Sequence, residues 1–261
     1  MTDTVRCERD GHILTITLDR PKANAIDAAT SRQLYAAFAS YRDDERLRCA
    51  IITGAGNKIF SAGWDLRAAV SGETENADYG PGGFAGLTEM WDLDKPVIAA
   101  VNGVAIGGGV ELALACDLIV ATDTATFALP ETHVGVAADA GGLQRLPRKI
   151  PLNIAAEMLL TGRKMDMAEA AHWGLVNRVV QASELMGSAR GLAQIIADGA
   201  PLSVRAIKEC LREMDGMTVR EAFDAIRSHR FPVHARMLTS KDHLEGPKAF
   251  IEKRRPQWTG C

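Results

Sequence analysis

Cysteine is sparse and unpatterned in this sequence. Its five cysteines (Cys7, Cys49, Cys116, Cys210 and Cys261) are scattered, odd in number and without a Cys-x-x-Cys step. A disulfide framework is therefore not expected, and a reducing, cytoplasmic setting fits better. No apolar run reaches the roughly 20 residues that a membrane-spanning helix needs, and the polar N-terminus lacks the apolar core of a secretory signal. Charge of one sign is not in excess: 30 Lys and Arg stand against 33 Asp and Glu, a formal net charge of −3. That balance offers no footprint for nucleic acid or a membrane surface, so neither is expected as a partner. The six histidines (His12, His133, His172, His229, His234 and His243) show no His-Glu-x-x-His or comparable spacing, and no metal site is expected. The Gly-x-Ser-x-Gly elbow of serine hydrolases is missing. Aromatic residues make up 5% of the chain, and Trp64, Trp91, Trp173 and Trp258 form no stripe, which reads as core or interface packing.

What is present is an ordinary globular composition, 47% hydrophobic and 24% charged over 261 residues, enough for one large domain or a core with an appendage. Residues 12–18, His-Ile-Leu-Thr-Ile-Thr-Leu, alternate as a strand does. Asp27 stands where an N-cap would open a helix running to about Tyr41. Residues 49–54 and 96–101 read as buried strands, 117–121 as the start of another, and 84–93 as a helix. The stretch 71–83 is polar, glycine-rich and without periodicity, so it reads as a surface loop able to act as a lid. From about residue 151 the pattern turns helical, with amphipathic segments near 202–214, 219–230 and 241–253. The expectation is an α/β portion over residues 1–195 and a helical portion over 196–261.

The chemistry concentrates in Ile106-Gly107-Gly108-Gly109-Val110-Glu111-Leu112, where three glycines open an apolar, helix-like run. Glycines let a ligand approach backbone N–H groups, and a helix N-terminus presents unpaired donors with a partial positive charge. An oxyanion fits there, with Glu111 in the first turn as an acid or base; a helix-dipole glutamate is the plainer alternative. The run has neither the lysine of a P-loop nor the Gly-x-Gly-x-x-Gly dinucleotide pattern. Glu131 comes directly after Pro130, whose fixed φ aims the chain beyond it; alone, such a step also simply starts a helix. Two carboxylates from separate segments work as an acid/base pair when a fold joins them. In Ala62-Gly63-Trp64-Asp65 the N–H of Trp64 offers a second oxyanion donor, while Asp65 alternatively serves the dipole of a short helix. His133, two residues after Glu131, either lines the same cleft or is a solvated loop histidine.

In this order, the segments resemble the crotonase (enoyl-CoA hydratase/isomerase) superfamily over almost the whole chain. The marks are Asp19-Arg20-Pro21 with Asn24-Ala25, Phe60-Ser61-Ala62-Gly63-Trp64-Asp65-Leu66, Lys95-Pro96 through Asn102-Gly103, Gly107-Gly108-Gly109-Val110-Glu111, Phe127 with Pro130-Glu131, and Gly141-Gly142 with Arg145-Leu146-Pro147. Within the superfamily the chain is most similar to the carnitinyl-CoA dehydratase branch, on residues 21–27, 60–66, 79–89 and Glu252-Lys253-Arg254. The resemblance implies an α/β fold, a crotonase-like spiral of ββα units with a C-terminal helical trimerisation region, assembled as a trimer or as a hexamer of paired trimers. It implies a hydro-lyase acting on acyl-CoA thioesters, with coenzyme A as part of the substrate and no other cofactor. By motif position Trp64 and Gly108 form the oxyanion hole, and Glu111 and Glu131 are the catalytic carboxylates. Lys22, Ala23, Ala25, Ala62, Asp65 and Leu66 fall where CoA binds, with Phe250 and Lys253 supplied by a neighbouring subunit; a solvated helix lysine is the plainer role for Lys253.

Two departures bear on function. The loop after Glu131 carries Ala138 where the family usually has proline, which removes a φ restraint and predicts a more mobile loop. Asp139 adds a third carboxylate, which keeps a Δ3,Δ2-enoyl-CoA isomerase as a second reading beside a general short-chain hydratase. A non-catalytic crotonase-fold binding protein is disfavoured by the intact pair of glutamates. A carnitine-type substrate brings a trimethylammonium group, for which Trp64, Tyr79, Phe84 and Trp91 offer aromatic faces; plain apolar packing around an ordinary acyl chain is the alternative.

Overall fold

Alternating apolar and threonine residues make a strand of Ile13–Leu18, and the fold builds outward from it. The computed structural model describes residues 4–74 and 77–261. In chain order the elements are β1 (Val5–Asp10), β2 (Ile13–Leu18), α1 (Ala28–Asp43), β3 (Cys49–Gly54), β4 (Ile59–Ser61), α2 (Leu66–Val70), β5 (Val97–Val101), β6 (Val104–Ile106), α3 (Gly108–Ala115), β7 (Leu118–Thr122) and β8 (Thr126–Ala128). Then come α4 (Gly142–Lys149), α5 (Leu152–Thr161), β9 (Lys164–Asp166), α6 (Met167–His172), β10 (Arg178–Val180), α7 (Leu185–Ala197), α8 (Pro201–Glu213), α9 (Val219–Arg227), α10 (Pro232–Leu238) and α11 (Lys241–Ile251).

Two sheets divide the strands. One has the order β1-β2-β3-β5-β7-β10, the other β4-β6-β8-β9. Three times in succession a strand enters the large sheet, the next enters the small sheet, and a helix follows: β3-β4-α2, β5-β6-α3 and β7-β8-α4. This is the repeating ββα turn of the spiral. The strands of the large sheet are parallel except for the β1–β2 pair. β3 and β5 are buried along their whole length, which is why they read as continuous apolar runs. One face of the sheet packs into the main core with Leu34, Phe38 and Tyr41 of α1. The other is covered by α7, whose Leu185, Ala189 and Ala193 recur every fourth residue against Ile51, Ile98 and Val120.

Beyond α7, helices α8–α11 carry a small core of Cys210, Ala225 and Phe231. Arg205 forks onto Asp94 at 2.9 and 2.8 Å, and Lys208 reaches Asp117 at 2.8 Å, which tie α8 to the core. The division expected at residue 195 lies inside α7. No helix among the described residues is long and apolar enough to cross a membrane.

Asp27 caps α1, its side chain accepting the N–H of Thr30, and the predicted strands appear close to their expected positions. The helix predicted over 84–93 does not form. Phe84–Gly86 makes a single 3-10 turn with Ala85 at φ +54°, and irregular turns follow. The apolar spacing that suggested a helix arises because Phe84, Leu87, Met90 and Leu93 all enter the core from an irregular chain. The expected lid over 71–83 includes residues 75 and 76, which lie outside the described residues. Ala138, where a proline restraint is missing, is 3% exposed, and its carbonyl accepts the N–H of Leu143 at 2.8 Å.

Candidate active site

β4, β6 and β8 are parallel neighbours, so their C-terminal ends open on the same edge of the small sheet. The segment after β4 carries Trp64, the one after β6 carries Gly107 and Gly108, and the one after β8 carries Glu131. Three stretches distant in sequence therefore meet because each is the exit of one turn of the spiral.

The first two segments abut. Gly63 has φ +74°, and a Cβ placed there would stand 2.6 Å from the Gly108 nitrogen. Only glycine allows both the backbone angle and the approach. Around it, Ile26 donates to the Gly63 carbonyl at 2.7 Å and Asp65 donates to the Ile26 carbonyl at 2.9 Å, which leaves the Trp64 N–H pointing away from that pairing. Neither the Trp64 nor the Gly108 N–H finds an acceptor among the described residues. Two free donors on touching segments, one of them opening α3, suit a developing oxyanion. Gly109 has a different role from the open approach expected of it. A Cβ there would meet the Ser61 carbonyl at 2.3 Å, so it serves the packing of α3 against β4.

Glu111 lies one turn into α3 and is 4% exposed. Its Oε1 accepts the N–H of Gly142, the first residue of α4, at 2.9 Å. Burial pushes its carboxyl up to about 7, with the charges of Glu131 and Asp139 adding to the rise and the Gly142 N–H opposing it. Glu131 opens a single 3-10 turn, and Gly107 at φ +53° leaves room for it: a Cβ there would stand 2.9 Å from Glu131 Oε1. Glu131 Oε2 is buried without a hydrogen-bond partner. Its carboxyl is also raised, by burial first and by the charge of Asp139. Asp139 is itself exposed. An orphaned buried carboxylate oxygen beside a second raised carboxyl is a pair prepared to exchange a proton with a third party.

The other predicted residues separate into groups. Ala23, Ala25, Ala62, Asp65 and Leu66 form one strip, because Ala62 donates to the Ala23 carbonyl at 3.0 Å and Arg20 bridges the Ala25 carbonyl at 2.9 Å to Asp65 at 2.7 Å. Lys22 and Leu66 are exposed on it. Phe250 and Lys253 sit exposed at the end of α11 and beyond, in a different part of the chain from that strip. His133 is exposed, its ring turned towards Gly162. Of the aromatic residues, Tyr79 and Phe84 meet edge to face at 5.4 Å, whereas Trp91 is 60% exposed and already holds the Arg145 guanidinium 5.6 Å from its ring centre.

Sequence reasoning did not assign the contacts that three residues make in the site. Gly142 was legible only as a family mark, yet its N–H holds Glu111. Phe84 lies against Gly108, where a Cβ would meet its ring at 2.3 Å. Glu73 accepts the Trp64 Nε1–H at 3.2 Å, and nothing in a polar loop distinguishes that carboxylate from its neighbours.

The enoyl-CoA hydratase/isomerase family matches residues 8–261. The chain is 57% identical over 260 residues to carnitinyl-CoA dehydratases of Salmonella typhi and Citrobacter koseri, covering 100% of this chain and of each relative. An enoyl-CoA hydratase structure from Mycobacterium tuberculosis H37Rv superposes with a TM-score of 0.91 at 41% identity, over 100% of both chains. One from Bacillus anthracis gives 0.90 at 33% identity, over 99% of this chain and 100% of the other. With its spiral of ββα turns and its matched site segments, the chain belongs to the enoyl-CoA hydratase/isomerase family.

Proposed function

We propose that this protein is a hydro-lyase that removes water from, or adds it to, the 2,3 bond of carnitinyl-CoA and crotonobetainyl-CoA. The observation that carries this reading is the pairing of two raised carboxyls, Glu111 and Glu131, beside two free N–H groups, those of Trp64 and Gly108. An α-proton next to a thioester is a weak acid, so the enolate must be stabilised where its charge develops. The two N–H groups take the thioester oxygen. In dehydration Glu131 receives the α-proton, and Glu111 gives its proton to the leaving β-hydroxyl as the C–O bond breaks and water departs. In hydration Glu111 takes a proton from the attacking water and Glu131 delivers one to the α-carbon. The pair holds one proton at the start and one at the end, as raised carboxyls at neutral pH allow.

The strip from Lys22 to Ala25 with Ala62, Asp65 and Leu66 is the proposed seat of the CoA moiety, completed by Phe250 and Lys253 of a neighbouring subunit. The reaction uses no cofactor beyond the coenzyme A of its substrate. A homotrimer, or a hexamer of two trimers, is the proposed assembly, the helical region from about residue 196 being its trimerisation region. The exposed Ile207, Leu211, Val219, Phe223, Phe250 and Ile251 support an apolar interface on those helices. Five cysteines outside any disulfide suit a cytoplasmic enzyme.

Crotonobetainyl-CoA and crotonyl-CoA distinguish the outcomes, followed by loss of the enoyl thioester absorbance. Turnover of the first is the expected result. Turnover of crotonyl-CoA alone would make the protein a general short-chain hydratase, and turnover of neither would overturn the reading. Glu111→Gln should lower kcat by about a thousandfold, within the range for removal of a general acid–base group. A second reading rests on Asp139, an exposed third carboxylate whose charge raises both glutamates and which would carry the proton between carbons in a Δ3,Δ2-isomerase. Isomerisation of a 3-enoyl-CoA that is lost in Asp139→Asn would establish it.

A further inference from the structure

Glu73 is a half-buried carboxylate without a counter-charge. Its Oε1 accepts the Trp64 Nε1–H at 3.2 Å, and its oxygens share the N–H of Ala28 at 3.2 and 3.1 Å. Ala28 opens the sixteen-residue α1, where the helix dipole favours an anion. Among the described residues no Lys, Arg or His forms an ion pair with it. Arg20 is engaged by Asp27 and Asp65, and Arg32 donates to the Asp78 carbonyl.

The carboxylate belongs to a connected wall that runs from one oxyanion donor to the other. Glu73 holds the indole of Trp64. The Thr74 carbonyl accepts from the Tyr79 hydroxyl at 3.1 Å, the Tyr79 ring meets Phe84 at 5.4 Å, and Phe84 lies against Gly108. In the proposed hydro-lyase, a thioester carbonyl held by the Trp64 and Gly108 N–H groups lies between the two ends of this wall. An apolar acyl group there would strip the remaining water from a carboxylate that already shares its oxygens between the Trp64 and Ala28 N–H groups, and would offer it no further partner. For a cation the same wall is attractive, since charge and ring quadrupoles act in the same direction. A quaternary ammonium has no N–H to donate, so charge and aromatic faces are the only means of holding it.

We propose that Glu73 is the specificity-determining counter-charge for a cationic acyl group, a quaternary ammonium a few bonds beyond the thioester carbonyl, with Trp64, Tyr79 and Phe84 contacting its methyl groups. Trp91 is left out, because one of its faces already holds the Arg145 guanidinium. This inference rests on the acyl-CoA hydro-lyase reading and deepens it by naming the residue that separates a charged acyl group from a neutral one.

The test compares kcat/KM for crotonobetainyl-CoA with that for its neutral isostere, in which a tert-butyl group replaces the trimethylammonium. Wild type should prefer the cation. Glu73→Gln keeps an acceptor for the Trp64 indole and should reduce that preference by about tenfold, chiefly through KM for the cation. Tyr79→Leu should reduce it in the same direction without a change of charge. A fall on both substrates by the same factor in Glu73→Gln would make Glu73 a holder of Trp64 alone and overturn the proposal, as would an unchanged ratio. Wild-type turnover of both substrates without preference also overturns it while leaving the hydro-lyase reading intact. Turnover of neither substrate overturns both.

Discussion

The N–H of Gly142 donates to Glu111 Oε1 at 2.9 Å and joins the first residue of α4 to the first turn of α3. This bond occupies one oxygen of a buried carboxylate. It also opposes the effect of burial, since a donor to a carboxylate favours its charged form. Burial prevails, and the carboxyl stands at about 7 against an ordinary 4.5.

Stability should therefore depend on pH through Glu111. Its folded-state value is raised, so between about 4.5 and 7 the folded chain binds more protons than the unfolded one. Stability falls as pH rises through that window and stays lower above it. Glu111→Gln removes the charge while keeping an acceptor for Gly142. At pH 8 it should stabilise the fold by roughly 3 kcal/mol, from the size of the shift, and at pH 4 the gain should vanish. Urea unfolding of both forms at the two pH values measures this, and an equal stability at pH 8 would falsify it.

Activity should fall on the alkaline side. In the proposed mechanism both directions need one proton on the Glu111–Glu131 pair, and Glu111, raised to about 7, loses its proton above that value. The alkaline limb of kcat/KM should break near this value whichever substrate is used. Asp139→Asn removes a charge that raises both carboxyls, so the limb should move to lower pH. A pH–rate profile that the substitution leaves in place would remove Asp139 from the electrostatics of the site.

The sequence made the site more legible than the chain around it. The Gly107–Glu111 run, the Gly63-Trp64 turn and Pro130-Glu131 each carry local chemistry, and β2 and α1 announce themselves by alternation and by a cap. What stayed hidden depends on tertiary contact. β1 reads as polar because it is an edge strand with five of its six residues exposed. The 84–93 segment borrowed a helical spacing from its burial against α1. The ββα repeat has no sequence period, because its turns share strand positions and not side chains. Glu73 gained its meaning only from the indole it holds.

Arg205 should matter to stability more than a surface arginine does. Its two bonds to Asp94 span 111 residues and hold α8 against the loop before β5. Asp94 is 9% exposed, so removal of its partner strands a nearly buried carboxylate. Arg205→Ala should cost about 2 kcal/mol, below the full cost of breaking a buried pair because the arginine itself is partly exposed. Arg205→Lys should recover only part, since an ammonium cannot fork. A chemical unfolding curve that moves by less than about 0.5 kcal/mol, the size of an ordinary surface change, would assign the tie to Lys208 and Asp117 instead.

Gly63→Ala tests the closeness of the two donor segments. The new methyl would stand 2.6 Å from the Gly108 nitrogen and 2.5 Å from the Ile106 carbonyl, both backbone atoms that no side-chain rotation relieves. The backbone at φ +74° adds strain of roughly 1–2 kcal/mol for any residue with a Cβ. The segments must separate, and the Trp64 and Gly108 N–H groups can then no longer converge on one oxygen. With both donors misplaced, kcat should fall by about 10²–10³, the loss expected for an oxyanion-hole donor, while circular dichroism still reports a folded chain. Substrate binding through CoA should change less, because the proposed CoA strip at Lys22–Ala25 is tied to Ala62 and Asp65, which flank Gly63, and not to Gly108. A folded Gly63→Ala variant with near wild-type kcat would show that the thioester oxygen is not held between these two segments.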